Sequence, residues 1–263
     1  MIKDSTGNLI SQARDFMAYL ISIRQGMAAV LMSMVCCQVS ASVVITGTRL
    51  IYQAQEAEIT VTLDNNGVLP VLVQTWVDSG DPNSSPTHST APFLLTPPVF
   101  RMDPNKGQSV RLMFTGASLP EDKESVYYFN LLEVPTAPAE TGTPVNLLQM
   151  AFRSRIKIFY RPETLSGNAS DAIDQVQWRI VHQAGGLALE GHNPTAFYVT
   201  VAKVGVVDGK QRFMAGSEML APRSKHSFAL PTLKNLPGPQ AQVELSAIND
   251  YGADVLIKRP LTP

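Results

Sequence analysis

Beyond residue 41 the chain alternates apolar and other residues with a period of two, and no helical period with capping signals is sustained. EITVTL places Ile59, Val61 and Leu63 on one face, and Asp64-Asn65-Asn66-Gly67 then supplies a turn. VLVQTWVD reads as the return strand, with Leu72 and Trp76 on one side and Val71, Val73 and Val77 on the other. SVRLMF aligns Val110, Leu112 and Phe114; SVYYFNLLEV aligns Val126, Tyr128 and Leu132. Short strands punctuated by Pro, Gly, Asn and Asp predict an all-β sandwich architecture. The 19 prolines agree, because turns and sheet edges accept proline where helices do not.

RPETLSGNASDAID, residues 161–174, interrupts the alternation and reads as a linker. Strands resume after it in VQWRIV, AFYVTVAKVGVV and AQVELSAIND. The chain therefore divides into one sandwich over 42–162 and a second over 163–263, each of ordinary domain size. Two sandwiches on a short linker leave a cleft between them, and function is expected there.

Upstream lies GMAAVLMSMVCCQVSA, residues 26–41, which follows Arg24 and closes with Val39-Ser40-Ala41. An apolar run behind a positive charge, ending in small residues and too short to span a bilayer comfortably, predicts a secretory signal peptide over 1–41. A buried helix or a membrane anchor is the competing reading. The leader is long, and Met17 would open a more ordinary one. Both cysteines fall within it, so an exported mature chain holds together by core burial rather than by disulfides.

The formal net charge of -1 gives no reason to expect nucleic acid or an anionic membrane as the main partner. His88, His182, His192 and His226 are scattered and form no metal-ligand spacing. No GxSxG elbow or HExxH pair is present, which argues against an enzyme, a small-molecule substrate and a cofactor.

Residues 146–162, NLLQMAFRSRIKIFYRP, carry the most unusual pattern. Leu148, Met150 and Phe152 share one strand face, while Arg153, Arg155 and Lys157 line the other. Alternation leaves open whether the three apolar side chains fill the chain's own core or serve another protein. Arg153 and Arg155 read as solvated strand cations.

Seven stretches resemble the periplasmic pilus-assembly chaperones of the chaperone–usher pathway. They are GTRLIY (47–52), TPPVFRMDPNKGQSVRL (96–112), LPEDKESVYYFNLLEVP (119–135), LLQMAFRSRIKIFYRP (147–162), NPTAFYVTV (193–201), LAPRS (220–224) and INDYGA (248–253). They run in the family's order through both sandwiches. The resemblance implies an immunoglobulin-like first domain and a second β-sandwich set at an angle to it, as in a boomerang. It implies pilin subunits as clients, each lacking its last strand, and an outer-membrane usher as recipient. The chaperone then donates its own edge strand, with Leu148, Met150 and Phe152 entering the pilin groove.

By the same resemblance, Arg49 and Lys157 hold the pilin's C-terminal carboxylate, a task suited to a guanidinium fork and a mobile ammonium. Glu124, Arg161 and Asp250 correspond to an interdomain ion network, and Thr96-Pro97 falls at a turn where a cis peptide is compatible with the family. The short segment after LLEVP and the cysteine-free mature chain point to the short-loop branch. The implied place of work is the periplasm, and an uncapped donor edge leaves self-association open. An exported adhesin or fimbrial subunit is the alternative; such a subunit would be a single incomplete domain, unlike this chain.

Overall fold

Strand follows strand from Val43 to Pro260 in the computed structural model, which describes residues 42–136 and 149–262. The first sandwich contains β1 (Val43–Ile45), β2 (Arg49–Gln53), β3 (Ile59–Asn65), β4 (Val71–Asp78), β5 (Phe93–Thr96), β6 (Val99–Met102), β7 (Gly107–Phe114), β8 (Ser125–Pro135) and β9 (Phe152–Arg161). One sheet has the order β1-β3-β7-β5, the other β2-β9-β8-β4-β6. The chain changes sheets between β1 and β2. Gly47, at φ 95°, makes that crossover, in a backbone region that disfavours any residue with a Cβ. β1 then pairs antiparallel with β3, whereas β2 runs parallel to β9.

Between the sheets, Val61, Leu63, Val73, Val110, Leu112, Phe129, Leu131 and Ile158 are almost wholly buried. The inward row of β8 is Tyr127, Phe129, Leu131 and Glu133, so Val126, Tyr128 and Leu132 turn outward. The Thr96–Pro97 peptide bond is cis.

The second sandwich opens with α1 (Ala169–Gln175), then β10 (Gln177–Gln183), β11 (Gly186–Asn193), β12 (Val199–Asp208), β13 (Gln211–Met214), β14 (Glu218–Leu220), β15 (Ser224–Ala229), β16 (Gln242–Ile248) and β17 (Asp254–Pro260). Its sheets are β10-β11-β15 and β13-β12-β16-β17, with β14 also paired to β12. Trp178, Leu189, Val204, Val206, Phe228 and Leu245 form a separate core.

α1 lies within the stretch that reads as a linker in sequence. Asn168 caps it by accepting a hydrogen bond from the Asp171 amide at 2.8 Å, and Ala172 and Ile173 join the second core. Seven residues are too few for a helical period to emerge from flanking Gly, Asn and Ser, which explains the difference. Among the described residues no helix is long and apolar enough to cross a membrane.

Candidate functional site

β9 presents two rows. Ile156, Ile158 and Tyr160 face the first core, while Arg153, Arg155, Lys157, Phe159 and Arg161 occupy the opposite face. The second face divides into three neighbourhoods with different chemistry.

Lys157 is the ladder partner of Arg49 in the parallel β2–β9 pair. Leu50 and Tyr52 anchor β2 in the core, which holds Arg49 on the outer face beside Lys157. The second sandwich closes over this point. Arg49 NH1 donates to the Ile248 carbonyl at 2.9 Å, and its guanidinium sits 5.6 Å from the Phe159 ring centroid. Arg49 Nε is buried with no hydrogen-bond partner among the described residues, as is Thr200 Oγ1. Thr200 pairs with Ile248 across β12 and β16 and lines, with Tyr128, Lys157, Ser217 and Glu218, an open cleft of about 350 Å³.

Burial lowers the pKa of Lys157, and the adjacent Arg49 charge lowers it further; Glu218 opposes them. Arg49 is lowered by burial against the attraction of Asp250 and Glu124. Two partly desolvated cations side by side make a site suited to one anion, and a carboxylate fits the fork geometry.

Arg161, at the end of β9, bridges the sandwiches. Its Nε donates to Glu124 Oε1 at 2.7 Å, and NH1 and NH2 donate to Asp250 at 2.9 and 3.3 Å. Glu124 Oε2 accepts from the Tyr198 amide at 2.7 Å, and the Glu124 amide donates to the Ala196 carbonyl. Asp250 lies in a turn organised by Asn249, whose Oδ1 accepts from the Tyr251 and Ala253 amides, with Gly252 at φ 81°. A Cβ on Gly252 would collide with Thr48, so INDYGA builds a close-packed interdomain contact. Glu124 is 2% exposed, so this is a buried network rather than the water-exposed kind that contributes little. Burial raises the Glu124 pKa, with Arg161 opposing.

Arg153 and Arg155 require correction: they are not idle solvated cations. Arg155 makes a bidentate pair with buried Asp78, at 2.9 and 2.6 Å, and its guanidinium lies 3.6 Å from the Tyr128 ring centroid. Arg153 donates to Asn130 Oδ1 at 3.1 and 2.7 Å, to the Pro82 carbonyl at 2.7 Å and to Ser84 Oγ, and lies over Trp76. Together they pin the connection after β4 to the outer face of the sheet. Burial would raise the Asp78 pKa, but hydrogen bonds from Arg155, Asn130 and the Gly80 amide outweigh it and hold the carboxyl below its ordinary value. The available sequence signal was an aspartate closing the buried run VLVQTWVD. Thr200 carried no comparable signal.

At the start of β9 Phe152 is half-buried, and Met150, just before the strand, is 48% exposed. Leu148 lies outside the described residues. Among the described residues there is no group of three or more His, Cys, Asp or Glu that could hold a metal.

Residues 42–166 match the family model described as pili and flagellar-assembly chaperone, PapD N-terminal domain, and residues 171–257 match pili assembly chaperone PapD, C-terminal domain. The chain belongs to the pilus-assembly chaperone family. This chaperone is 42% identical over 217 residues to the probable fimbrial chaperone YadV of Escherichia coli, covering 82% of this chain and 88% of the relative. It is also 42% identical over 218 residues to the chaperone protein FimB/FhaD of Bordetella pertussis, covering 81% and 85%. The crystal structure of the YadV chaperone superposes with a TM-score of 0.72 at 38% identity, covering 84% of this chain and all of that one. The SafB chaperone in complex with the SafA pilin of Salmonella enterica superposes at 0.68 with 27% identity, covering 86% and 99%. The family's members are chaperones rather than enzymes, and membership implies the periplasm.

Proposed function

We propose that this chaperone captures pilin subunits by donor-strand complementation and passes them to an outer-membrane usher. Leu148, Met150 and Phe152 enter the client's open groove. Full burial of three such side chains is worth about 5–9 kcal/mol as an upper bound, before ordering costs. Arg49 and Lys157 grip the client's C-terminal carboxylate, which sets the register of the strand that follows. A slip by one residue would turn every client side chain to the wrong face.

The observation that carries this reading is the pairing of Arg49 with Lys157 on one ladder position, with Lys157 lining the cleft. The exposure of Met150 supports a row available to a partner. Export through a leader over 1–41, a pilin-binding domain over 42–162, a C-terminal sandwich over 163–263 and membership of the short-loop branch belong to the same proposal.

Co-expression with a candidate pilin subunit tests the reading. Arg49→Ala and Lys157→Ala, each still folded, are expected to lose co-purification of the pilin. Normal capture by both variants would reject the carboxylate site.

A further inference from the structure

Glu133 belongs to the inward row of β8 and is 5% exposed, yet among the described residues no ion pair involves it. A carboxylate this buried normally has a cation beside it. The groups that meet it come from the first described residues. Ser42 N donates to Oε2 at 2.9 Å and lies 3.2 Å from Oε1, Ser42 Oγ donates to Oε1 at 2.5 Å, and Val43 N donates to Oε2 at 2.9 Å.

The pocket around Ser42 is built for this residue. Ser42 O accepts from the Asn66 amide, and a Cβ on Gly67 would come within 2.5 Å of Ser42 Cβ. Asn65, fully buried, holds that turn by donating to the Leu69 and Met102 carbonyls and accepting from the Gly67 amide. One amide hydrogen on Ser42 cannot serve both carboxylate oxygens well. An ammonium, with three hydrogens and a positive charge, can.

We infer that Glu133 is a receptor for the chain's own processed N-terminus, the α-ammonium of Ser42. The inference rests on the proposed removal of residues 1–41. Hydrolysis of the Ala41–Ser42 bond by a leader peptidase adds the hydroxyl of a water to the Ala41 carbonyl carbon and its hydrogen to the Ser42 nitrogen. That nitrogen then takes one proton from solvent. The new cation meets the buried carboxylate, so cleavage completes an ion pair inside the first sandwich. Glu133 is also the ladder partner of Phe152, which ties the processed end to the start of the proposed donor strand.

The test uses the exported protein and periodate, which converts an N-terminal serine, through its adjacent amine and hydroxyl, into an aldehyde that a hydrazide tag reports. In the folded wild-type protein the oxidation is expected to be slow. In Glu133→Gln it should be about tenfold faster, the rate equivalent of one charge-assisted hydrogen bond. In urea the two should react alike. Equal rates in the two folded proteins overturn the pairing while leaving the cleavage reading intact. If Glu133→Gln does not fold, Glu133→Asp decides, since its charge is withdrawn by one methylene: an intermediate rate supports the pairing and a wild-type rate overturns it. Absence of any aldehyde from unfolded wild-type protein, with an intact mass that does not start at Ser42, overturns the inference together with the cleavage position.

Discussion

Arg49 and Lys157 are ladder partners in the parallel β2–β9 pair, which sets two cations side by side on one sheet face. Burial works against both charges, and the Arg49 charge works further against Lys157. An anion placed between them would relieve that cost, which is the basis of the proposed carboxylate site.

A peptide copying the pilin C-terminus is therefore expected to bind through its terminal carboxylate. Amidation of that terminus should weaken binding by about ten- to a hundredfold, the equivalent of one charge-assisted hydrogen bond. Titration calorimetry compares the two peptides, and equal affinities would remove the anchoring role.

The same binding should depend on pH in a defined direction. The free Lys157 pKa lies below 10.5, and a bound anion favours the charged lysine. Affinity is then fully present below the free-state pKa and falls as pH rises through it, earlier than for an ordinary lysine. Lys157→Arg should abolish the decline across that window, which affinity measured from neutral to alkaline pH would reveal.

Breaking the buried bridge between the sandwiches should be costly. Arg161→Ala leaves Glu124 without its cation and is expected to lower stability by about 3–5 kcal/mol. Asp250→Ala, at the more exposed end, should cost less, about 1 kcal/mol. Urea unfolding measures both, and equal losses would show that burial does not govern the network.

Arg155→Ala should move acid unfolding to higher pH. The Asp78 carboxyl is held below its ordinary 3.8 in the folded protein, so its stabilising contribution is present above that value. It is lost as pH falls through the lower, folded-state pKa. Without Arg155 the loss begins earlier, and circular dichroism against pH reads the midpoint.

Met150→Asp should separate the chaperone's own stability from its hold on a client. Met150 is 48% exposed, so the change is expected to alter stability by no more than about 0.5 kcal/mol while abolishing pilin co-purification. Ile158→Ala, within β9 and fully buried, should cost about 2–5 kcal/mol. A large loss of stability at Met150 would place that side chain in the chaperone's own core.

Period-two alternation was enough to specify strands, two sandwiches and the pair of faces on β9, because the direction of a side chain along a strand is a local property of the backbone. It also set Arg153, Arg155 and Lys157 on one face, but not their separate fates. Arg155 found Asp78 from a strand 77 positions earlier, Arg161 found Asp250 from 89 positions later, and Lys157 was left beside Arg49. Only sheet assembly and the meeting of two sandwiches decide which cation is neutralised and which stays open. The seven-residue α1 and the buried Glu133 belong to the same class. Ion pairing and burial depend on neighbours distant in the chain, and no local period encodes them.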